Sequence, residues 1–319
     1  MLLTALSTLG RHARLALPAG IGIALILPDI PLRWDIILPL NITLIYAASM
    51  IRLDLKSVGL AALAPQRLAL SVSVAGFILC LVPIFYAGIA HIGGLSALYF
   101  PSLIWFAVAP PIASTVWICT LLGFRAALAM EVVVLTSLAA PFTGPFLAAW
   151  LLSDITAIDQ LALFFKLAGM ICGGTVIALI GQAYLGREKI EDKRYLFDGL
   201  AALAMIIFLV PVFNGMAAEI FARPMLAAHL CLLAIAMNMG AQILLLGFSR
   251  IFSQQTQNLQ VLAIVTGNRN VGLYFAALPA DPIFALFTAM YQIPLYLTPL
   301  IIGWLSNWLH PQRGVSGDG

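Results

Sequence analysis

Continuous apolar runs of roughly twenty residues, broken at charges, prolines and glycines, dominate the chain. Read as helices, they fall at about 14–29, 34–53, 66–90, 97–122, 126–152, 161–186, 195–216, 225–248, 258–279 and 282–309. A helix needs ~20 mostly apolar residues to cross the hydrocarbon core, and each run is near that length. The runs do not alternate between polar and apolar positions, which argues against the strands of a membrane barrel. The pattern predicts an all-α polytopic membrane protein with ten transmembrane helices.

Composition agrees. Of 319 residues, 62% are hydrophobic and 9% charged, against roughly 25% charged in a soluble domain. This excludes a soluble enzyme, a nucleic-acid-binding protein and a disordered chain; the expected surroundings are a lipid bilayer. The net charge of +3 points to no acidic partner. Cys80, Cys119, Cys172 and Cys231 all fall inside apolar runs without metal-binding spacing and are expected as small buried hydrophobes. No HExxH, paired-carboxylate or phosphate-loop arrangement is present, so no catalytic residue, metal site or cofactor is expected.

The placement of lysine and arginine sets the orientation. With a cytoplasmic N-terminus, Arg11, Arg14, Arg52, Lys56, Arg67, Arg125, Arg187, Lys189, Lys193, Arg194, Arg250 and Arg313 lie inside. Arg33, Lys166 and Arg223 then lie outside, and Arg269 falls within a span. That bias predicts both termini in the cytoplasm, in the plasma (inner) membrane. Met1 to Gly10 places its charge after a short apolar run, the wrong order for a cleaved signal, so the first span is expected after Arg14 and retained. The tail 312–319 is expected to be disordered.

Two stretches use the same device. Ala109-Pro-Pro-Ile-Ala-Ser-Thr115 precedes a span with Pro141, Pro145 and Trp150; Thr266-Gly-Asn-Arg-Asn270 precedes a span with Pro294, Pro299 and Trp304. Thr115 to Trp150 is 35 residues and Asn270 to Trp304 is 34. Five spans separate the copies, and an odd number reverses orientation. The expectation is two inverted five-helix repeats, residues 1–155 and 156–319, with helices four and nine broken where a midplane site forms.

Pro110 and Pro111 remove two amide donors in mid-span and Gly267 marks the second break. Ser114 and Thr115 follow the first break as cap or ligand groups. Asn268, Arg269 and Asn270 are the strongest local signal: a guanidinium about 15 Å from either helix end is too deep to snorkel. Placing it there costs ~2.5–3.5 kcal/mol on insertion scales. Glu131, the carboxylate well inside a predicted span, is the candidate for proton coupling. Asn238 and Gln242, four apart on one helical face, line the same cavity or join helices; Tyr291 and Gln292 are weaker candidates for its wall.

The stretch Leu262-Ala-Ile-Val-Thr-Gly-Asn-Arg-Asn-Val-Gly-Leu273 resembles the crossing-helix motif of the bile acid:sodium symporter family, which typically reads L-A-I-E-V-G-M-Q-N-S-G-L. Ala113-Ser114-Thr115-Val116 is similar to the family's A-S-N-V, and Asn238, Pro141, Pro145, Trp150 and the Leu53-Asp54-Leu55-Lys56 turn also fit. The resemblance implies a panel of helices 1, 2, 6 and 7 and a core of 3–5 and 8–10. It also implies transport of bile acids or smaller organic anions, commonly with sodium. The family's sodium-binding Glu is Val265 here, its Gln is Arg269, and its first-half Asn is Thr115. The positions expected to supply further oxygens fall near Leu128, Val132 and Ile78. Ser114 and Thr115 alone keep an oxygen, whereas a hard cation needs several. Sodium is therefore disfavoured, and the cation-site position is expected to be taken by the Arg269 guanidinium.

The expected function is secondary transport of a small organic anion by alternating access, with Ser114, Thr115, Asn238, Asn268, Arg269, Asn270, Tyr291 and Gln292 contacting substrate. The alternative is a membrane receptor that binds such an anion on the same fold without transporting it. Substrate identity, coupling and oligomeric state are left open by the sequence.

Overall fold

The computed structural model describes residues 2–54, 58–59, 63–155, 157–252 and 256–309. Leu55, Lys56, His310, Arg313 and the tail lie outside the described residues. The described residues form helices joined by short connections, with no strand among them. They run α1 (Leu2–Arg11), α2 (Ala13–Ile26), α3 (Trp34–Met50), α4 (Pro65–Ile92), α5 (Phe100–Val108), α6 (Ser114–Leu121), α7 (Ala126–Leu151) and α8 (Gln160–Leu185). There follow α9 (Arg187–Asp192), α10 (Arg194–Phe213), α11 (Met216–Ala222), α12 (Pro224–Ile251), α13 (Thr256–Gly267), α14 (Val271–Ala277) and α15 (Pro282–Leu309).

Six of these, α4, α7, α8, α10, α12 and α15, are long and apolar enough to cross a membrane. In lipid no water is at hand to satisfy amides and carbonyls, so an apolar run closes its hydrogen bonds within its own helix. Large side chains such as Phe85, Phe142, Phe165, Trp150 and Trp304 therefore stand on outward faces. Among the cysteines, all free, Cys119 is buried and Cys231 half-buried, but Cys80 and Cys172 face outward, where an apolar solvent tolerates them equally well.

The first apolar run is not the first helix. A short helix from Leu2 precedes it and steps at His12 into α2, whose apolar stretch Leu15–Ile26 begins where the first span is expected. α1 lies along α10, and two glycines allow the backbones to touch. A Cβ on Gly199 would stand 1.9 Å from the Leu6 carbonyl oxygen, and one on Gly10 2.0 Å from that of Tyr195. Thr4, Ser7 and Thr8 dilute the apolar signal of this helix, and packing supplies what hydropathy does not.

α3 packs along α8 and α10, and α2 along α10; elsewhere α4 packs on α7, and α12 on α13 and α15. α4 and α12 are built alike. Each spans 28 residues and widens into a five-residue π turn, Phe77–Leu81 in one and Ala236–Gly240 in the other. In α4 the Val82 amide reaches back five residues to the Phe77 carbonyl, which relaxes the turn ahead of Pro83. The Tyr86 hydroxyl, just beyond the widened turn of α4, donates to the Met237 carbonyl in the widened turn of α12 at 3.3 Å.

Candidate functional site

Two helical segments stop inside the molecule and restart. α5 ends at Val108 because Pro110 and Pro111 have no amide to continue it, and α6 begins at Ser114. α13 ends at Gly267 and α14 begins at Val271. The two breaks lie side by side, antiparallel, with Pro111 opposite Arg269. The Ile112 amide donates to the Asn268 carbonyl at 2.9 Å, and the Asn270 amide to the Pro110 carbonyl at 2.7 Å.

Arg269 explains why the second helix stops. In a continuing helix the Asn270 amide would bond the Thr266 carbonyl. That carbonyl instead accepts Arg269 Nε at 2.8 Å. Nη1 reaches the Ala109 carbonyl, freed at the first break, at 2.9 Å, and the Ile78 carbonyl in the π turn at 3.5 Å. One guanidinium thus gathers carbonyls from three separate segments. It is fully buried, and its Nη2 has no partner. The ion pairs among the described residues do not include it. A positive charge is therefore held in the interior by carbonyl dipoles alone, at a cost of several kcal/mol in a fully apolar setting.

The remaining polar side chains sort into two sets. Tyr291 serves the break itself: its hydroxyl accepts the Arg269 amide at 2.7 Å and lies 3.0 Å from the Arg269 carbonyl. Edge contact with Phe106 and stacking on Phe287 hold its ring. On the other side Asn238, Gln242, Asn268 and Thr298 form a buried amide cluster. Asn238 Nδ2 donates to the Gly267 carbonyl at 2.7 Å, and Asn268 Nδ2 to the Ile264 carbonyl at 2.9 Å and Gln242 Oε1 at 3.3 Å. Thr298 Oγ1 lies 3.0 Å from Asn268 Oδ1 and 3.1 Å from Asn238 Oδ1. Gly267 is required here, since a Cβ would meet the Asn238 carbonyl oxygen at 2.4 Å. In this structure Asn238 and Asn268 spend their hydrogen bonds on the protein. Asn270 and Gln292 instead line a void of about 30 Å³ with Arg269 and Tyr291.

That void adjoins a cavity of about 540 Å³, with which it shares Met205, Leu295 and Tyr296. The cavity is walled by apolar side chains and by Ser114 and Trp117 of α6. Thr115, one residue on, is buried and turned away, its hydroxyl donating to the Ile112 carbonyl at 2.7 Å. Arg52, Asp198, Arg187 and Glu191 also line the large cavity, with Arg52 and Asp198 ion-paired.

Val265, Ile78, Leu128 and Val132 belong to one buried apolar cluster, drawn from three separate helices, and their side chains bring no oxygen to it. Among the described residues no group of three or more His, Cys, Asp or Glu side chains is gathered as for a metal.

Glu131 stands apart from the crossing and lines neither cavity. Its carboxylate accepts Arg67 Nε at 2.6 Å and the Ser71 hydroxyl, tying α7 to α4. The candidate for proton coupling is thus held in an ion pair away from both cavities. The pairing was not visible in the sequence, because Arg67 and Glu131 are brought together only by helix packing. Thr298 was also missed; a threonine between Pro294 and Pro299 is its sequence signal. A comparison of the chain with protein-family models and with curated proteins finds no match in either.

Proposed function

We propose that the chain is a secondary transporter of a small organic anion that works by alternating access without sodium coupling, as a divergent relative of the bile acid:sodium symporters. The observation that carries this reading is the crossing: two interrupted helices meet beside a cavity large enough for an organic molecule, around a buried guanidinium with no carboxylate to neutralise it. Interrupted helices that line a cavity are how membrane transporters expose backbone to a substrate.

Internal symmetry supports ten spans in two inverted repeats, residues 1–155 and 156–319. α4 and α12 share their length and the position of their π turn. Pro145 precedes Trp150 by the same five residues that separate Pro299 from Trp304. The antiparallel pairing of Pro111 with Arg269 is what a twofold relation between the halves would give. α1–α2, α3, α8 and α10 then form the panel, and the other spans the core. The basic residues around the large cavity favour a cytoplasmic opening, with both termini on that side of the plasma membrane.

The absence of sodium coupling rests on two features. Four of the positions where the related family would place cation ligands, Ile78, Leu128, Val132 and Val265, carry apolar side chains within one buried cluster. The Arg269 guanidinium bonds carbonyls from three segments, as a bound cation would, and it does not deprotonate in the physiological range. Ser114, Asn270 and Gln292 are the side chains left to meet substrate, with Arg269 supplying charge.

A thermal-shift screen of purified protein against organic anions, followed by counterflow in proteoliposomes with any stabilising compound, tests the reading. Transport requires the labelled compound to accumulate. A compound that stabilises without accumulating overturns transport and assigns the site to a receptor.

A further inference from the structure

We propose, on the transporter reading above, that Lys166 is a latch: it holds the outer side of the protein shut while the large cavity stands open to the cytoplasm. Panel and core part at one end of the molecule and close at the other. Arg52 and Leu53, just after α3, line the large cavity together with Asp198 and Ala201 of α10; Ser114, Trp117 and Met130 of the core line it too. At that end α8 is tied within the panel. Gln182 Nε2 donates to the carbonyls of Met50, Ile51 and Leu53 at 3.3, 3.0 and 2.9 Å. Sixteen residues earlier, roughly 24 Å along the helix at ~1.5 Å per residue, α8 is tied to the core instead. There Lys166 Nζ donates to the Ala277 carbonyl, the last of α14, at 2.9 Å.

α14 stops at Ala277 because Leu278 turns to extended backbone (ψ 157°) and Pro279 has no amide. The Ala277 carbonyl is thus left without a helical donor, and a cation at a helix C-terminus is favoured by hydrogen bond and dipole together. Apolar packing seats the same segment against the panel. A Cβ on Gly272 would stand 2.9 Å from the Phe208 ring and 3.1 Å from Ile42, and Phe275 meets Phe208 edge-on. Such packing is non-directional, whereas the hydrogen bond exists in one register only. Because Lys166 rides on the panel and Ala277 on the core, the bond cannot survive a displacement of several ångströms between them. Lys166 is also free to let go. It is exposed, and the ion pairs among the described residues do not include it. Once released, its ammonium reaches water at the outer interface along its flexible stem, so opening costs one hydrogen bond and strands no charge.

The test reads two distances by double electron–electron resonance in full-length protein, reconstituted in nanodiscs without substrate. Cys80, Cys172 and Cys231 are replaced by serine; Cys119 is fully buried and stays. Spin labels at Leu161→Cys and Ala280→Cys, both exposed, report the outer side. Labels at the exposed Tyr184→Cys and Ile251→Cys report the cytoplasmic side. With Lys166 present the outer distance should be short and the inner one long. In Lys166→Met a second population should appear, with the outer distance longer and the inner one shorter. Its ratio to the first should rise roughly tenfold, the loss of one hydrogen bond from a charged donor. Lys166→Leu should behave as Lys166→Met, and Lys166→Arg, which keeps a charged donor, as the wild type. Unchanged distributions in both apolar variants overturn the proposal. So does a change confined to the outer pair, since a lysine that only caps α14 would fray its end without closing the cavity. The readout needs no transport. Reciprocal distances in a protein that fails counterflow keep the latch and refute transport, and counterflow with unmoved distances does the reverse.

Discussion

One hydroxyl, that of Tyr291, serves both ends of the same residue's backbone: it accepts the Arg269 amide at 2.7 Å and lies 3.0 Å from the Arg269 carbonyl. Because Arg269 has left the helix, neither group has a helical partner. Tyr291→Phe keeps the ring packed on Phe106 and Phe287 and deletes only the hydroxyl. Leaving a buried amide unpaired costs about 1–3 kcal/mol. The expected result is a lower melting temperature in detergent with helix content unchanged by circular dichroism; an unshifted melt would mean the hydroxyl contributes nothing at the break.

Gly267→Ala should destabilise the protein by about 1–3 kcal/mol, the usual effect of overpacking. The added methyl would press on the Asn238 carbonyl and the Gln242 side chain. Gly169→Ala is the matched control, since a Cβ there meets nothing within 4 Å. Thermal melts of the two variants side by side check this, and equal midpoints would count against the tight contact.

Arg67→Ala should destabilise by removing the partner of a buried carboxylate. Loss of one member of a fully buried pair costs ~3–5 kcal/mol. Arg67 is about a third exposed, so water screens the pair and the expected loss is smaller, about 1–3 kcal/mol. The double variant Arg67→Ala/Glu131→Gln should recover much of it, because the stranded charge is gone. A double variant no more stable than Arg67→Ala would show that Arg67 contributes through packing and not charge. Transport measured from pH 5 to 8 in wild type and Glu131→Gln separates proton coupling from this structural role: identical profiles exclude Glu131 from coupling.

Replacing sodium by choline at equal ionic strength should leave substrate affinity and transport unchanged. A sodium ion 4 Å from the guanidinium would meet about 4 kcal/mol of repulsion at an effective dielectric near 20. A saturable sodium enhancement contradicts the fixed-cation reading, as does full activity in Arg269→Ala.

What could be seen in advance was whatever breaks a rule of apolar helices. Two prolines without amides, and an arginine between two asparagines in mid-span, are rare enough in lipid to mark both interruptions by themselves. The long helices were equally visible, since continuous apolarity leaves the backbone no alternative. Relations across the fold were not. Arg67 read as an ordinary loop cation until α4 and α7 packed. The π turns leave little trace in residue type beyond Pro83 and Gly240. α1 escaped notice because its packing depends on Gly10 meeting Gly199 of α10, a property of neither segment alone. Tyr291 lines the small void as a wall residue would, but that its hydroxyl also serves the Arg269 backbone could not be read from the chain.

Besides the Arg269 guanidinium's bond to the Ala109 carbonyl, the two breaks are paired by main chain, and this sets what substitution can do to that pairing. The Ile112 and Asn270 amides and the Asn268 and Pro110 carbonyls persist whatever side chains those residues carry. Relatives of this chain are therefore free to exchange the chemistry presented at the crossing, a guanidinium here, without unpicking the stitch that holds it. A proline at 112 or 270 is the substitution that removes a thread, since only the loss of an amide reaches it. The crossing is a frame with exchangeable fittings, and Arg269 is the fitting this protein wears.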